Sequence, residues 1–148
     1  MRRLVWWTAA SLVVGSTWTG VLLAQGEDAG ATETAEAFVA AWSRGDAGAL
    51  QSLLRPTGLR MQVDARNQGG VSARQVGAAL RAFLLRHEVG EVSARRIEVL
   101  GGDPPRGLAE LDWRTRVRGA KETVAYVIFL GLERADDRWR VAEIRILP

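Results

Sequence analysis

The sequence predicts an α+β fold, with three helices in the N-terminal half packed on an antiparallel four- to five-strand sheet. Two observations carry this. Between residues 32 and 87 the apolar positions recur at helical spacing, broken by one short alternating segment. From about residue 91 the chain is rich in β-branched and aromatic residues, punctuated by Gly-, Pro- and Asp-containing turns. The run 123–132 is the most apolar after the N-terminus, and the rest of the chain is organised around it as a central strand.

The first 26 residues stand apart. Met1-Arg2-Arg3 is a short positive start, residues 4–24 are apolar, and Ala24-Gln25-Gly26 supplies small residues for cleavage before Glu27-Asp28. This reads as an export signal. A run of this length is also compatible with an uncleaved membrane anchor, although Thr8, Ser11, Gly15, Ser16, Thr17, Thr19 and Gly20 dilute it. Arg2-Arg3 raises the twin-arginine route, which the flanking residues do not support. With no cysteine in the chain, lipid anchoring through a lipobox, disulfides and thiolate metal sites are all excluded. The expected organisation is a signal peptide or anchor at 1–26, a linker at 27–31 and one domain at 32–148. That domain is expected outside the cytoplasm, periplasmic or secreted, touching a membrane only through an uncleaved N-terminal segment.

The net charge of +3 does not point to nucleic acid. Removing residues 1–26 takes away Arg2 and Arg3 and no acid, leaving 18 basic against 17 acidic residues. No dense basic patch stands out, so a phosphate-backbone partner is not expected.

Each element has its own signal. Thr32 is the expected N-cap of the first helix, with Glu33 and Glu36 in its first turn and Ala35, Phe38, Val39 and Trp42 on one face. Gly45 closes it, Asp46 caps a short second helix with Leu50, Leu53 and Leu54 apolar, and Pro56 stops that helix. Leu59, Met61 and Val63 alternate with polar residues as a half-buried strand, and Asn67-Gln68-Gly69-Gly70 reads as a turn. Ser72 and Gln75 form a capping box for a third helix with the stripe Val76, Ala79, Leu80, Phe83, Leu84 and His87. Strands are expected near 91–100, 107–118, 122–133 and 138–147.

Loop parity assigns the two faces of the sheet. A two-residue hairpin at Gly119-Ala120 pairs residues summing to 239, setting Trp113 opposite Tyr126, Leu111 opposite Ile128 and Ala109 opposite Leu130. An odd-length loop at 135–137 adds Ala142, Ile144 and Ile146 to this core face. The opposite face then carries Glu110, Asp112, Arg114, Arg116, Glu143 and Arg145 around an apolar insert of Val127, Phe129, Trp139 and Val141. An apolar patch rimmed by charge of both signs is the composition of a contact surface, and these four are the expected homodimer interface.

Helix, short helix, strand, helix and a four-strand meander is the element order of the cone-shaped fold of nuclear transport factor 2. The segment Phe38-Val39-Ala40-Ala41-Trp42-Ser43-Arg44-Gly45-Asp46-Ala47-Gly48-Ala49-Leu50 resembles the joint between that superfamily's first two helices. Residues 83–89 (FLLRHEV) and 139–146 (WRVAEIRI) together resemble a small family of exported bacterial proteins of unknown function within it. The resemblance covers about residues 32–147 and implies a curved sheet wrapped around a cone. Its superfamily holds isomerases, epoxide hydrolases and dehydratases beside many non-catalytic binders and dimerisation modules, so the fold leaves the function open.

Within such a cone, Trp42, Phe83, His87, Trp113 and Tyr126 are the expected lining of a pocket for a small apolar ligand. His87, the one imidazole in the chain, is the first candidate for general acid–base work, although it also suits the dipole at the end of the third helix. Asp46 already has a capping role, Asp64 sits at a strand end beside a turn, and Glu110 and Asp112 fall on the charged face. With one His, no Cys and no spaced carboxylate set, neither metal nor organic cofactor is expected. The leading expectation is an exported non-catalytic module that binds a small apolar ligand, a protein partner or its own copy. The alternative is an isomerase or hydrolase using His87 and a carboxylate inside the cone.

Overall fold

The computed structural model describes residues 19–63 and 66–148, with side chains from residue 29 onward. The order is α1 (Thr19–Ser43), α2 (Ala47–Leu53), β1 (Leu59–Val63), β2 (Arg66–Val71), α3 (Ala73–Leu85), β3 (Glu91–Val99), β4 (Arg106–Arg116), β5 (Thr123–Ala135) and β6 (Arg138–Leu147). The strands form one six-stranded sheet, β2-β1-β6-β5-β4-β3. The helices cover one of its faces, α1 lying across β3, β4 and β6. The α+β class holds, with more strands than expected and one parallel pair, β1 beside β6.

Two expectations change at the N-terminal end. Helix α1 begins well before Thr32, which is therefore not its cap, and the segment 27–31 is helical rather than a linker. Ala31 is fully buried, and a Cβ at Gly30 would stand 2.7 Å from Cδ1 of Trp139, so the helix seats there because that position has no side chain. Most of the expected signal, residues 1–18, lies outside the described residues. Among the described residues no helix is long and apolar enough to cross a membrane. The joint after α1 follows its sequence: Gly45 takes φ 63°, and the Asp46 side chain accepts from the backbone N–H of Ala49 at 2.9 Å.

Asn67-Gln68-Gly69-Gly70 is not a turn but part of β2, which pairs antiparallel with β1. Most of β2 is exposed, so no buried face imposed an apolar alternation on its sequence. The capping box of α3 forms as expected: Ser72 Oγ accepts from Gln75 N–H and Gln75 Oε1 accepts from Ser72 N–H.

Hairpin β4–β5 has the expected register, with Trp113 opposite Tyr126, Leu111 opposite Ile128 and Ala109 opposite Leu130. Its loop is longer than two residues. The strands stop at Arg116 and Thr123 because Val117 bridges to His87 and Arg118 N–H donates to Arg86 C=O, drawing the strand end toward α3.

Hairpin β5–β6 departs from the expected parity. Its loop is the two residues Asp136-Asp137, both in the left-handed region at φ 50° and 59°, the conformation of a tight hairpin turn. Next to this turn Trp139 pairs with Arg134 and Val141 with Leu132; beyond it Glu143 pairs with Gly131 and Ile144 with Leu130. Ala142 is the extra residue of a β-bulge between these two registers. The bulge reverses the alternation once, so Val141 and Trp139 share the core face with Ile144 and Ile146.

Candidate functional site

The expected pocket residues form one contact cluster inside the cone. Trp42, from α1, meets Trp113, from β4, edge-on at 5.2 Å between ring centroids, and Trp113 stacks on Tyr126, from β5, at 5.3 Å. Phe83, on α3, touches Trp113 and Tyr126 at 5.8 Å each and the imidazole of His87 at 4.5 Å. Phe38 stacks on Trp42 at 5.6 Å and extends the cluster. Its place on the α1 stripe was visible in the sequence, its partnership with the cone aromatics was not. Trp42, Phe83 and Trp113 are all buried and Tyr126 partly so. Ring pairs at such separations each contribute about 0.5–1.5 kcal/mol beyond simple burial, so the interior is held as a packed aromatic plug.

His87 is buried just past the end of α3. Its Nδ1 lies 2.8 Å from the carbonyl of Phe83 and its Nε2 lies 3.2 Å from the hydroxyl of Tyr126. A carbonyl only accepts, so Nδ1 carries the proton, and in the neutral ring Nε2 accepts from Tyr126. Arg86 N–H also donates to the Phe83 carbonyl, at 3.2 Å, so the imidazole is a second donor to this acceptor in the last turn of α3. Nearby, Thr115 Oγ1 donates to Glu88 C=O at 2.7 Å and helps hold the turn that follows.

Among the described residues no carboxylate is hydrogen-bonded to His87. Among the described residues the buried polar or charged side chains are His87 and Thr115. Asp46 caps α2, Asp64 lies outside the described residues, and Glu110 and Asp112 stand on the outer face beside Arg95, at 3.0 and 3.8 Å. No group of three or more His, Cys, Asp or Glu able to hold a metal occurs among the described residues. A His–Tyr pair can pass a proton, but among the described residues no buried carboxylate stands with it as the second group that paired acid–base chemistry uses.

Two open clefts reach the cluster. One, of about 570 Å³, is walled by Trp42, His87 and Trp113 and by Arg44, Arg81 and Arg118. The other, of about 530 Å³, lies between α3 and the β1–β2 hairpin and is walled by Met61, Val63, Ala79, Phe83, Arg66 and Arg86. The indole Nε1 of Trp42 is buried without a hydrogen-bond partner, one of two such atoms among the described side chains, with Arg145 Nε.

The outer face differs from its expected make-up. Phe129 and Val127 lie on it, each half-buried. Trp139 and Val141 do not: Val141 is fully buried and Trp139 is 8% exposed, both within the core under α1 and α2. The strand register puts Leu108 and Leu147 on the outer face instead, flanking Gly131 and Val127. The guanidinium of Arg145 sits 5.1 Å over the ring of Phe129, and Glu110 is opposite Phe129 on the other side. Ion pairs rim the patch, Arg60 to Glu143 at 2.9 Å and Arg95 to Glu110 at 3.0 Å.

Helices over one face of a curved mixed sheet, with an aromatic interior, define a nuclear transport factor 2-like fold, and solved structures agree. A DUF4783 family protein from Bacteroides uniformis matches with a TM-score of 0.64 and 15% identity, over 75% of this chain and 93% of that one. An NTF-2 like protein of unknown function from Shewanella oneidensis matches at 0.61 and 18%, over 84% and 99%. A ketosteroid isomerase-like protein from Erwinia carotovora atroseptica matches at 0.67 and 12%, over 82% and 95%. No protein-family model matches the chain, and no curated protein matches it. Identities this low establish the fold alone.

Proposed function

We propose that this protein is an exported, non-catalytic binding module that works as a homodimer through the outer face of its sheet. The observation that carries the non-catalytic reading is the interior. His87 is engaged on both ring nitrogens, by Phe83 C=O and the Tyr126 hydroxyl, and no buried carboxylate accompanies it among the described residues. Export rests on the positive start, apolar run and small-residue cleavage site of residues 1–26. The dimer reading rests on the strip Leu108, Val127, Phe129 and Leu147, bordered by charges of both signs that a two-fold copy can pair rather than repel. An isomerase or hydrolase is the second reading, favoured by the His87–Tyr126 contact at the wall of an open cleft.

The test is Phe129→Glu, followed by light scattering across micromolar concentrations. Full burial of a Phe is worth roughly 1.5–3 kcal/mol. Phe129 is half-buried already, so each copy gains about 1 kcal/mol on association and the symmetric pair about 2. A carboxylate at 129 also faces Glu110. The dissociation constant should therefore rise by at least about 100-fold, roughly 2.8 kcal/mol, while the variant monomer stays folded, with a cooperative melt lowered modestly by the new carboxylate beside Glu110. A parent that is monomeric at tens of micromolar, or a variant that remains dimeric, removes the dimer reading.

A further inference from the structure

We infer that the 570 Å³ cleft at the α1–α2 joint binds a small organic carboxylate with an aliphatic tail, held head-first by Arg44 and Arg81. The inference deepens the reading of the protein as a binding module and is separate from the dimer face. Four features meet in this cleft, the last of them at Trp42. Its size falls within the range of small-ligand sites. Its cationic side chains outnumber its anionic ones, Arg44, Arg81 and Arg118 against Asp46 and Glu88. Both acids are already engaged, Asp46 at the N–H of Ala49 and Glu88 with Arg116 at 3.5 Å. Arg118 is committed in part, its Nε donating to Leu85 C=O at 2.8 Å. Arg44 and Arg81 form no ion pair among the described residues, so their guanidinium forks are the donors left for a carboxylate.

The apolar half of the recognition is equally local. Leu85 is 65% exposed and Val89 79% exposed, and both line this cleft beside Leu84. Large aliphatic side chains left in water at the rim of a basic cleft suit the tail of an amphiphile, whose methylenes leave water on binding there. Trp42 adds the fourth feature. It forms part of the wall, and its buried indole N–H has no hydrogen-bond partner, an arrangement that is costly until an acceptor arrives. The carboxylate is the acceptor that the inference assigns to it.

Calorimetric titration of the purified protein with octanoate, 1-octanol, octylammonium and acetate tests this. Octanoate should bind saturably, at least tenfold tighter than octanol. Octylammonium and acetate should give no saturable heat at millimolar concentration. Arg44→Gln with Arg81→Gln should erase the advantage of octanoate over octanol, and Trp42→Phe, which keeps the wall and removes the donor, should weaken octanoate at least threefold. Absent octanoate binding, equal binding of octanoate and octanol, or full octanoate affinity in either variant overturns the inference. The probe comparison uses the unaltered chain, so it decides even where a variant misfolds. Failure here alongside a Phe129→Glu monomer leaves the module reading standing without this ligand.

Discussion

The substitution that tests the two-faced reading of β6 most sharply is Trp139→Ala. Were Trp139 on the outer face, truncating it would leave the monomer's stability nearly unchanged and weaken only association. The bulge at Ala142 instead turns Trp139 inward, where it is 8% exposed and lies against Gly30 of α1. Truncating a buried Trp to Ala costs about 3–5 kcal/mol, since the indole's transfer energy is lost and the cavity relaxes only partly. For a domain of about 120 residues each kcal/mol moves the melting temperature by about 3–5 °C, so a drop of about 10–20 °C is expected. Urea unfolding followed by circular dichroism gives the same quantity as a lowered midpoint at constant slope.

Gly30→Ala is the companion measurement. Its new Cβ would stand 2.7 Å from Trp139 Cδ1, so either the helix or the indole must shift, at about 1–3 kcal/mol. Because the two positions touch, the effects should not add: in the Trp139→Ala background the extra methyl should be close to neutral. A Trp139→Ala loss below about 1 kcal/mol, or additive effects with Gly30→Ala, would refute the inward placement and with it the seating of α1.

Two further outcomes follow from the same structure. His87→Gln should cost about 1–3 kcal/mol and Tyr126→Phe about 0.5–1.5 kcal/mol, with a coupling between them in a double-mutant cycle; strict additivity would mean that the 3.2 Å contact contributes nothing. Intact-mass analysis of protein recovered from the periplasm should show a chain starting between Gln25 and Glu27, which retains Gly30 and Ala31 in the core; recovery only at full length in the membrane fraction would favour the anchor.

Where the sequence spoke through burial, it was legible. The core alternation of β4 and β5 gave their register, and the Gly45-Asp46 joint and the Ser72/Gln75 box gave the ends of all three helices that those residues bound. The cone aromatics were legible too, because Trp42 and Phe83 fall on helical stripes and Trp113 and Tyr126 on one strand face. The misses share a cause, which is structure held by main-chain pairing or by a missing side chain. Strand β2 is exposed along most of its length and carries no apolar signature. Helix α1 extends through Gly26 and Gly30, residues of low helix propensity, because at Gly30 the helix must pass close to Trp139. Leu108 and Leu147 went unassigned because the outer strip had been filled with Trp139 and Val141.

The bulge links these corrections to the functional reading. On β6 both alternating sets are partly apolar: Trp139, Val141, Ile144 and Ile146 on one side of the chain's course, Ala142 and Leu147 on the other. A regular strand would place Trp139 and Val141 opposite to Ile144 and Ile146, stranding one pair in water. Inserting Ala142 as an unpaired residue sends all four inward, where they are buried in one core with the aromatic cluster. An interior filled in this way shifts recognition to its margins. One margin is the outer strip around the Phe129–Arg145 stack, where an aromatic ring and a guanidinium, the side chains most enriched at protein contacts, already lie together. The other is the arginine-rimmed cleft, where Trp42, His87 and Trp113 of the same plug form the floor and the engaged acids leave Arg44 and Arg81 available. The plug therefore bears on both margins: it fixes the sheet that carries Phe129, and its own edge walls the cleft for which a carboxylate ligand is proposed.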